Sequence, residues 1–277
     1  MKFKFCPRCL LVVLLLTAPF CDALADDRGP IDQDFQVSVG GFFMQSDTTL
    51  RLDGDTTGTG TDVDWESEFD LKDSDRFRVD AFWRFAARHK VRLMYFENNR
   101  SNTRTLTRDI DFGDTTFPVD LQVDARLETR IIELAYEYAF LQRDNMELAG
   151  SFGIHNIELE SAMKGAIISP GGGGTAEVEE VGDATGPLPV IGLRYLWHIG
   201  GNFYFDGIAQ FFYVEWDNNT GSIQDYKVGV TWIPWQNVGI GVGYNKFITR
   251  LDVSKDDFSG KMEVGYGGAM AFLTVGF

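Results

Sequence analysis

Apolar and polar residues alternate with a period of two along most of this 277-residue chain, and the alternation predicts about ten β-strands. Near the start, Phe35, Val37, Val39, Gly41 and Phe43 share one face, with Gln36, Ser38 and Gly40 on the other. The second strand alternates most sharply: Phe77, Val79, Ala81, Trp83 and Phe85 oppose Arg76, Arg78, Asp80 and Arg84. Residues 91–108 and 119–140 predict two longer strands, with Val91, Leu93 and Tyr95 outward on the first. On the second, Ile132, Leu134, Tyr136, Tyr138 and Phe140 form an apolar face, yet Leu121, Val123, Ala125 and Leu127 have the opposite parity. That change of phase at Ile131-Ile132 predicts a β-bulge, in a hairpin longer than a bilayer needs. The same two-sided pattern recurs from Met146, Ile191, Phe203, Tyr226 and Val238 onward. Polar positions there include Glu147, Ser151, His155, Arg194, Asp206, Gln210, Asp225, Lys227 and Asn245. Gly239, Gly241 and Gly243 alternate on one polar face, which leaves room for a bulky neighbour or a sharp bend.

Short turns expected at 88–90, 142–145, 199–202 and 234–237 alternate with longer loops near 54–74, 109–118, 164–186, 217–221 and 253–260. Four turns and five loops join ten strands and put both ends of the chain on one side. A soluble sandwich would show similar alternation. The aromatics favour a barrel, because they fall at two levels. Trp83, Phe85, Tyr138, Phe140, Tyr195, Trp197, Phe203, Phe205, Trp232, Trp235 and Phe277 lie near one end, and Phe43, Tyr213, Trp216 and Tyr244 nearer the other. Two such girdles suit a membrane. The expected fold is all-β, a closed antiparallel transmembrane β-barrel of about ten strands.

Composition sharpens this. Residues 1–25 read as a cleaved signal peptide: Lys2, Lys4 and Arg8 precede an apolar run over 10–20, and Ala23-Leu24-Ala25 offers the cleavage site. The barrel domain is then 26–277. Cys6, Cys9 and Cys21, the three cysteines, all fall in the removed segment, which excludes disulfide staples and Cys-ligated metals. The formal charge of -16 becomes about -18 after cleavage, which disfavours nucleic acid as a partner. With 44% hydrophobic and 14% aromatic residues the chain is not a disordered one.

The last stretch, 261–277, puts Phe277, Val275, Leu273, Ala271 and Ala269 on one face and Gly276, Thr274, Phe272, Met270 and Gly268 on the other. It resembles the C-terminal signature of Gram-negative outer-membrane β-barrels, which ends on an aromatic. The chain as a whole is similar to small barrels of this kind, OmpA/OmpW-like in the broad sense. The resemblance implies an integral outer-membrane protein with both termini periplasmic. It implies Gly268, Leu273, Val275 and Phe277 as an assembly signal. It also implies, as partners, outer-membrane lipids, lipopolysaccharide, the barrel-assembly machinery and periplasmic chaperones. A monomer without cofactors is expected. Ten strands depart from the eight of OmpW-type barrels, so their proposed lateral route for small hydrophobic molecules is not carried over.

Three groups are candidate sites. Arg76, Arg78, Arg84, Arg92, Arg194 and Lys227 are expected to face Asp80, Glu133, Glu137, Glu147, Asp206 and Asp225 across a narrow lumen, with His155 among them. Charges in such an interior must pair, which gives either a plug or a narrow polar conduit. The acidic stretch 53–75 offers Asp53, Asp55, Asp62 and Asp64 as oxygen ligands for a weak metal site, though without EF-hand spacing. A solvated loop is the plainer reading. For catalysis, ten-stranded barrels include the omptin proteases, with paired Asp and an Asp-His couple at the outer rim. Here His89 and His198 fall at the opposite end, and His155 and Ser151 stand about 13 Å apart along one strand. The expectation is therefore not an enzyme. It is a barrel with a largely plugged polar lumen and a structural or surface-interaction role. A small-solute channel is the alternative, and a lipid- or peptide-acting enzyme the second.

Overall fold

A computed structural model describes residues 29–54, 59–72, 75–168, 175–216, 219–255 and 258–277. The signal-peptide reading, the three cysteines, Asp55 and the Trp216 side chain lie outside the described residues. Ten long strands form a closed antiparallel ring. They are β1 (Phe35–Leu52), β3 (Asp75–Ala86), β4 (His89–Thr105), β7 (Gln122–Arg143), β8 (Met146–Ile168), β9 (Thr175–Gly200), β10 (Phe203–Trp216), β11 (Asn219–Trp235), β12 (Val238–Lys255) and β13 (Phe258–Gly276). Short pieces lie on the loop side: β2 (Val63–Asp64), helix α1 (Trp65–Phe69), β5 (Ile110–Phe112) and β6 (Thr115–Phe117).

The ring closes where β1 meets β13, in register from Gln36↔Gly276 to Leu52↔Gly260. The chain end joins the seam. The Phe277 carbonyl accepts from the Asp34 and Phe35 amides at 2.6 and 3.0 Å, and the Phe277 amide donates to the Phe35 carbonyl at 2.8 Å. The expected tight turns are present, each about a two-residue turn. All four are narrower than expected, because the strands run further into them; Lys90, for one, belongs to β4 and not to the turn. The expected loop over 164–186 is mostly strand. β9 leaves β10 after Ile191↔Phe211 and continues to Thr175, paired there only with β8.

The largest departure concerns β7. Its pairing runs unbroken through Ile131↔Ile157 and Ile132↔Asn156, and its one register shift falls at Ala139/Leu141. The bulge expected at Ile131-Ile132 is not there. Instead the solvent outside the wall changes. Below this point Leu134, Tyr136, Tyr138 and Phe140 point out and are exposed, while Glu133 and Glu137 are buried inside. Above it Arg126, Glu128 and Arg130 point out, while Val123, Ala125 and Leu127 are buried inside. Other strands change in the same way. β8 passes from Phe152 and Ile154 to Asn156, Glu158 and Glu160, and β12 from Val242 and Tyr244 to Lys246 and Arg250. One side of the wall thus faces lipid below and water above, with no break in the pleat. The long hairpins project beyond the bilayer, as their length suggests.

The lower outward belt is apolar all round the ring, including Phe43, Phe77, Trp83, Leu134, Phe152, Ile191, Leu193, Phe211, Val228, Val242 and Leu273. A surface of that extent is not left in water. Inside the projecting region, α1 forms a lid. Asp64 caps it by accepting from the Ser67 amide at 2.9 Å. Trp65 and Phe69, one turn apart, turn into a core with Leu50, Leu106, Phe112, Phe117, Leu127 and Met163.

Candidate functional site: the lumen

The inward side chains of the barrel form stacked layers. At the end with the short turns, Pro30, Ile31 and Gln33 fold back into the mouth and are buried. Arg84 on β3 clamps this segment by donating to the carbonyls of Ile31 at 2.5 Å and Gln33 at 3.2 Å, and to Ala87 at 2.9 Å. It also pairs with Glu147 on β8 at 3.0 Å. Lys90 reaches the other Glu147 oxygen at 2.5 Å and sits 4.9 Å from the centre of the Phe82 ring.

Above lies the main network. Arg194 pairs with Asp206 at 2.8 Å and stands 3.7 and 3.8 Å from Glu137 and Glu147. Arg92 holds Glu133 at 2.6 Å and Glu137 at 3.5 Å. Asp80 lies between Arg78 at 2.9 Å and Lys227 at 3.0 Å. A polar chain then runs across the lumen. Arg78 donates to Asn245 Oδ1 at 2.7 Å, and Asn245 donates to Asp225 Oδ1 at 2.5 Å. Gln210 donates to Glu133 Oε1 at 2.8 Å. The strand pleat turns each of these side chains inward, and neighbouring strands bring them within reach of one another.

Eleven of the thirteen expected lumen residues meet in this network, and His155 is buried beside it, 3.7 Å from Glu133 and 3.8 Å from Asp225. The exception is Arg76, which lies higher and donates to Asn98 and Asn99. Sequence reasoning missed Lys90, assigned to a turn, and the roles of Gln210 and Asn245, whose inward phase is visible but whose amides carry no charge to mark them. The room beside the three glycines of β12 is taken by a neighbour: a Cβ on Gly241 would overlap the Phe272 ring.

An aromatic layer covers the network. Phe96 and Phe247 flank Tyr266 at 4.8 and 4.9 Å between ring centres, and Phe42 meets Tyr266 edge-on at 5.6 Å. Above it, Arg100 pairs with Glu66 of α1 at 2.5 Å and donates to Thr48 at 3.1 Å, below the apolar core under the lid. A cavity remains on the short-turn side of the aromatic layer, lined by Arg78, Asp80, Arg92, Arg194, Asp206 and Lys227.

In the acidic stretch the described residues have partners within the protein. Asp53 is buried and accepts from the Gly60 amide at 3.0 Å and Ser259 Oγ at 2.9 Å, beside Arg51 at 3.0 Å. Asp64 is the helix cap, and Asp62 contributes a carbonyl to Arg108. Of the histidines, His89 meets Tyr136 at 2.6 Å and His198 stacks on Tyr204, both near the short turns.

Among solved structures, the chain is similar to the outer-membrane protease OmpT of Escherichia coli, with a TM-score of 0.55 and 12% identity over 91% of this chain and 100% of that one. The fold is that of an outer-membrane β-barrel. The Pseudomonas putida toluene transporter TodX matches with a TM-score of 0.34 and 9% identity, over 88% of this chain and 90% of that one. Neisserial surface protein A matches with a TM-score of 0.32 and 13% identity, over 88% and 97%. No protein-family model and no curated protein sequence matches the chain. With an outer-membrane barrel fold and a lipid-facing belt, the chain is an integral outer-membrane protein.

Proposed function

We propose that this protein is a closed outer-membrane barrel that serves as a structural or surface-interaction element and carries no solute stream. The filling of the lumen supports the reading. A clamped N-terminal segment, an ion-pair network, an aromatic layer and an apolar core under α1 lie one above another. An ion crossing this column would have to force open a pair of dry layers. The partners proposed are lipids and lipopolysaccharide around the belt and, during biogenesis, chaperones and the assembly machinery reading the strand that ends at Phe277. A monomer suffices, because ring closure leaves no strand edge at membrane height. The likeness to OmpT is one of fold. The three histidines stand in the lumen or near the short turns, which supports a role without catalysis.

The test is single-channel recording of the folded protein in a planar bilayer, beside Asp225→Asn and Arg84→Ala, with heat-modifiable gel mobility to confirm folding. Silence from all three supports the closed barrel. Steady steps altered by either variant would establish the channel, for which the cavity on the short-turn side would be the vestibule.

A further inference from the structure

We propose that Glu133, His155 and Asp225 form a divalent-metal site inside the barrel, of the class that takes zinc or manganese. One imidazole and two carboxylates supply the donor set, and their ligand atoms all lie within 4.8 Å of one another. Glu133 and His155 are direct cross-strand neighbours on β7 and β8, and Asp225 comes from β11. His155 Nε2 stands 3.7 Å from Glu133 Oε2 and 3.8 Å from Asp225 Oδ2. Those separations are too long for hydrogen bonds, so a proton on the ring bridges neither carboxylate in this geometry. A point equidistant from three atoms so spaced lies roughly 2.2–2.4 Å from each, close to the bond lengths of zinc and manganese sites.

Two further observations point to a ligand. His155 has no exposed surface, and neither ring nitrogen has a hydrogen-bond partner. A wholly buried imidazole in that state leaves both a donor and an acceptor unsatisfied, which native interiors rarely tolerate. The carboxylates, in turn, are held by their other oxygens. Arg92 and Gln210 occupy Glu133 Oε1, and Asn245 occupies Asp225 Oδ1. The oxygens turned to the ring are Oε2 and Oδ2. Such outer partners orient ligands around a metal. Arg92 also lines the cavity on the short-turn side, which offers a way in from there. The ion would tie β7, β8 and β11 together across the lumen. The site does not rest on a closed lumen, because a conducting barrel would hold the same ion on its wall.

The test folds the full barrel from urea into detergent micelles with Zn²⁺ or, in parallel, Mn²⁺, removes loose ion by gel filtration with a weak chelator, and counts metal by mass spectrometry. About one ion per barrel is expected. His155→Gln, Glu133→Gln and Asp225→Asn should each weaken retention by at least about tenfold, while Glu158→Gln, on the outer face, should not. Heat-modifiable mobility confirms that each variant folds. Where one does not, X-ray absorption of a His89→Ala/His198→Ala barrel decides, since His155 is then the sole imidazole. An imidazole signal there supports the site. Sub-stoichiometric ion, an ion that survives all three substitutions, or a shell without imidazole overturns it.

Discussion

Glu147 offers the most direct measure of what the lumen network does for stability. Its carboxylate is 1% exposed and takes Lys90 on one oxygen at 2.5 Å and Arg84 on the other at 3.0 Å. The two cations are not equally dependent on it. Arg84 keeps the carbonyls of Ile31, Gln33 and Ala87 if Glu147 is lost. Lys90, 2% exposed, has Glu147 and the face of Phe82. Glu147→Gln should therefore cost about 3–5 kcal/mol, the usual penalty for stranding a buried charge, and most of it should reside in Lys90. In a Lys90→Met background the same substitution should cost only about 1–2 kcal/mol, since no stranded ammonium remains. The coupling is then about 2–3 kcal/mol, within the range seen for groups in contact. Urea unfolding in lipid vesicles, read by gel mobility and tryptophan fluorescence, gives all four corners of the cycle. A Glu147→Gln loss under about 1 kcal/mol, or additive single losses, would refute the reasoning.

Other outcomes follow from the rest of the structure. Leu134→Arg puts a charge against lipid and should cost about 2–4 kcal/mol, whereas Arg126→Ala, above the bilayer and 46% exposed, should cost less than about 1 kcal/mol; equal losses would contradict the change of outer solvent. Trp65→Ala removes the main side chain of the lid and should cost about 3–5 kcal/mol. It should still leave the barrel non-conducting in planar bilayers, because Phe96, Phe247 and Tyr266 close a second layer. The Arg250 guanidinium, bonded to Glu263 at 2.6 Å on the outer face, holds that carboxyl below its ordinary value. A lowered acid stabilises the fold above the ordinary carboxylate range and loses this contribution as pH falls through the lowered value. At such an exposed pair it amounts to less than about 0.5 kcal/mol. NMR titration should show the Glu263 midpoint rise in Arg250→Ala; an unmoved midpoint would count against the bond.

What the sequence makes legible follows from what a strand pattern encodes. Period two reports which residues share a side, so the inward set from Arg78 to Lys227 and the ten-strand count can be read directly. The pattern does not report which solvent lies on each side. In β7 the apolar side chains move from outward Leu134 to inward Leu127, and with only hydrophobicity to follow, that looks like a slipped pleat. The upper stretches of β8 and β9 resemble loop for a related reason. Glu177, Glu179 and Asp183 lie on a hairpin without the lipid-facing signal of the lower strands. The helix is obscured by its acidic surroundings, although Trp65 and Phe69 have the spacing of one turn. The alternation marks His155 as inward, but its two carboxylate neighbours come from strands whose heights only the closed ring fixes.

The projecting hairpins have a further consequence. From Asn156, where the outer face of β8 becomes polar, to Ile168 the strand rises far enough to lift its tip roughly 30 Å clear of the hydrocarbon, allowing for barrel tilt. This upper storey is in effect a small water-soluble protein with its own core, standing on a membrane-bound base. A change of sequence or length up there leaves the layers that hold the base together untouched.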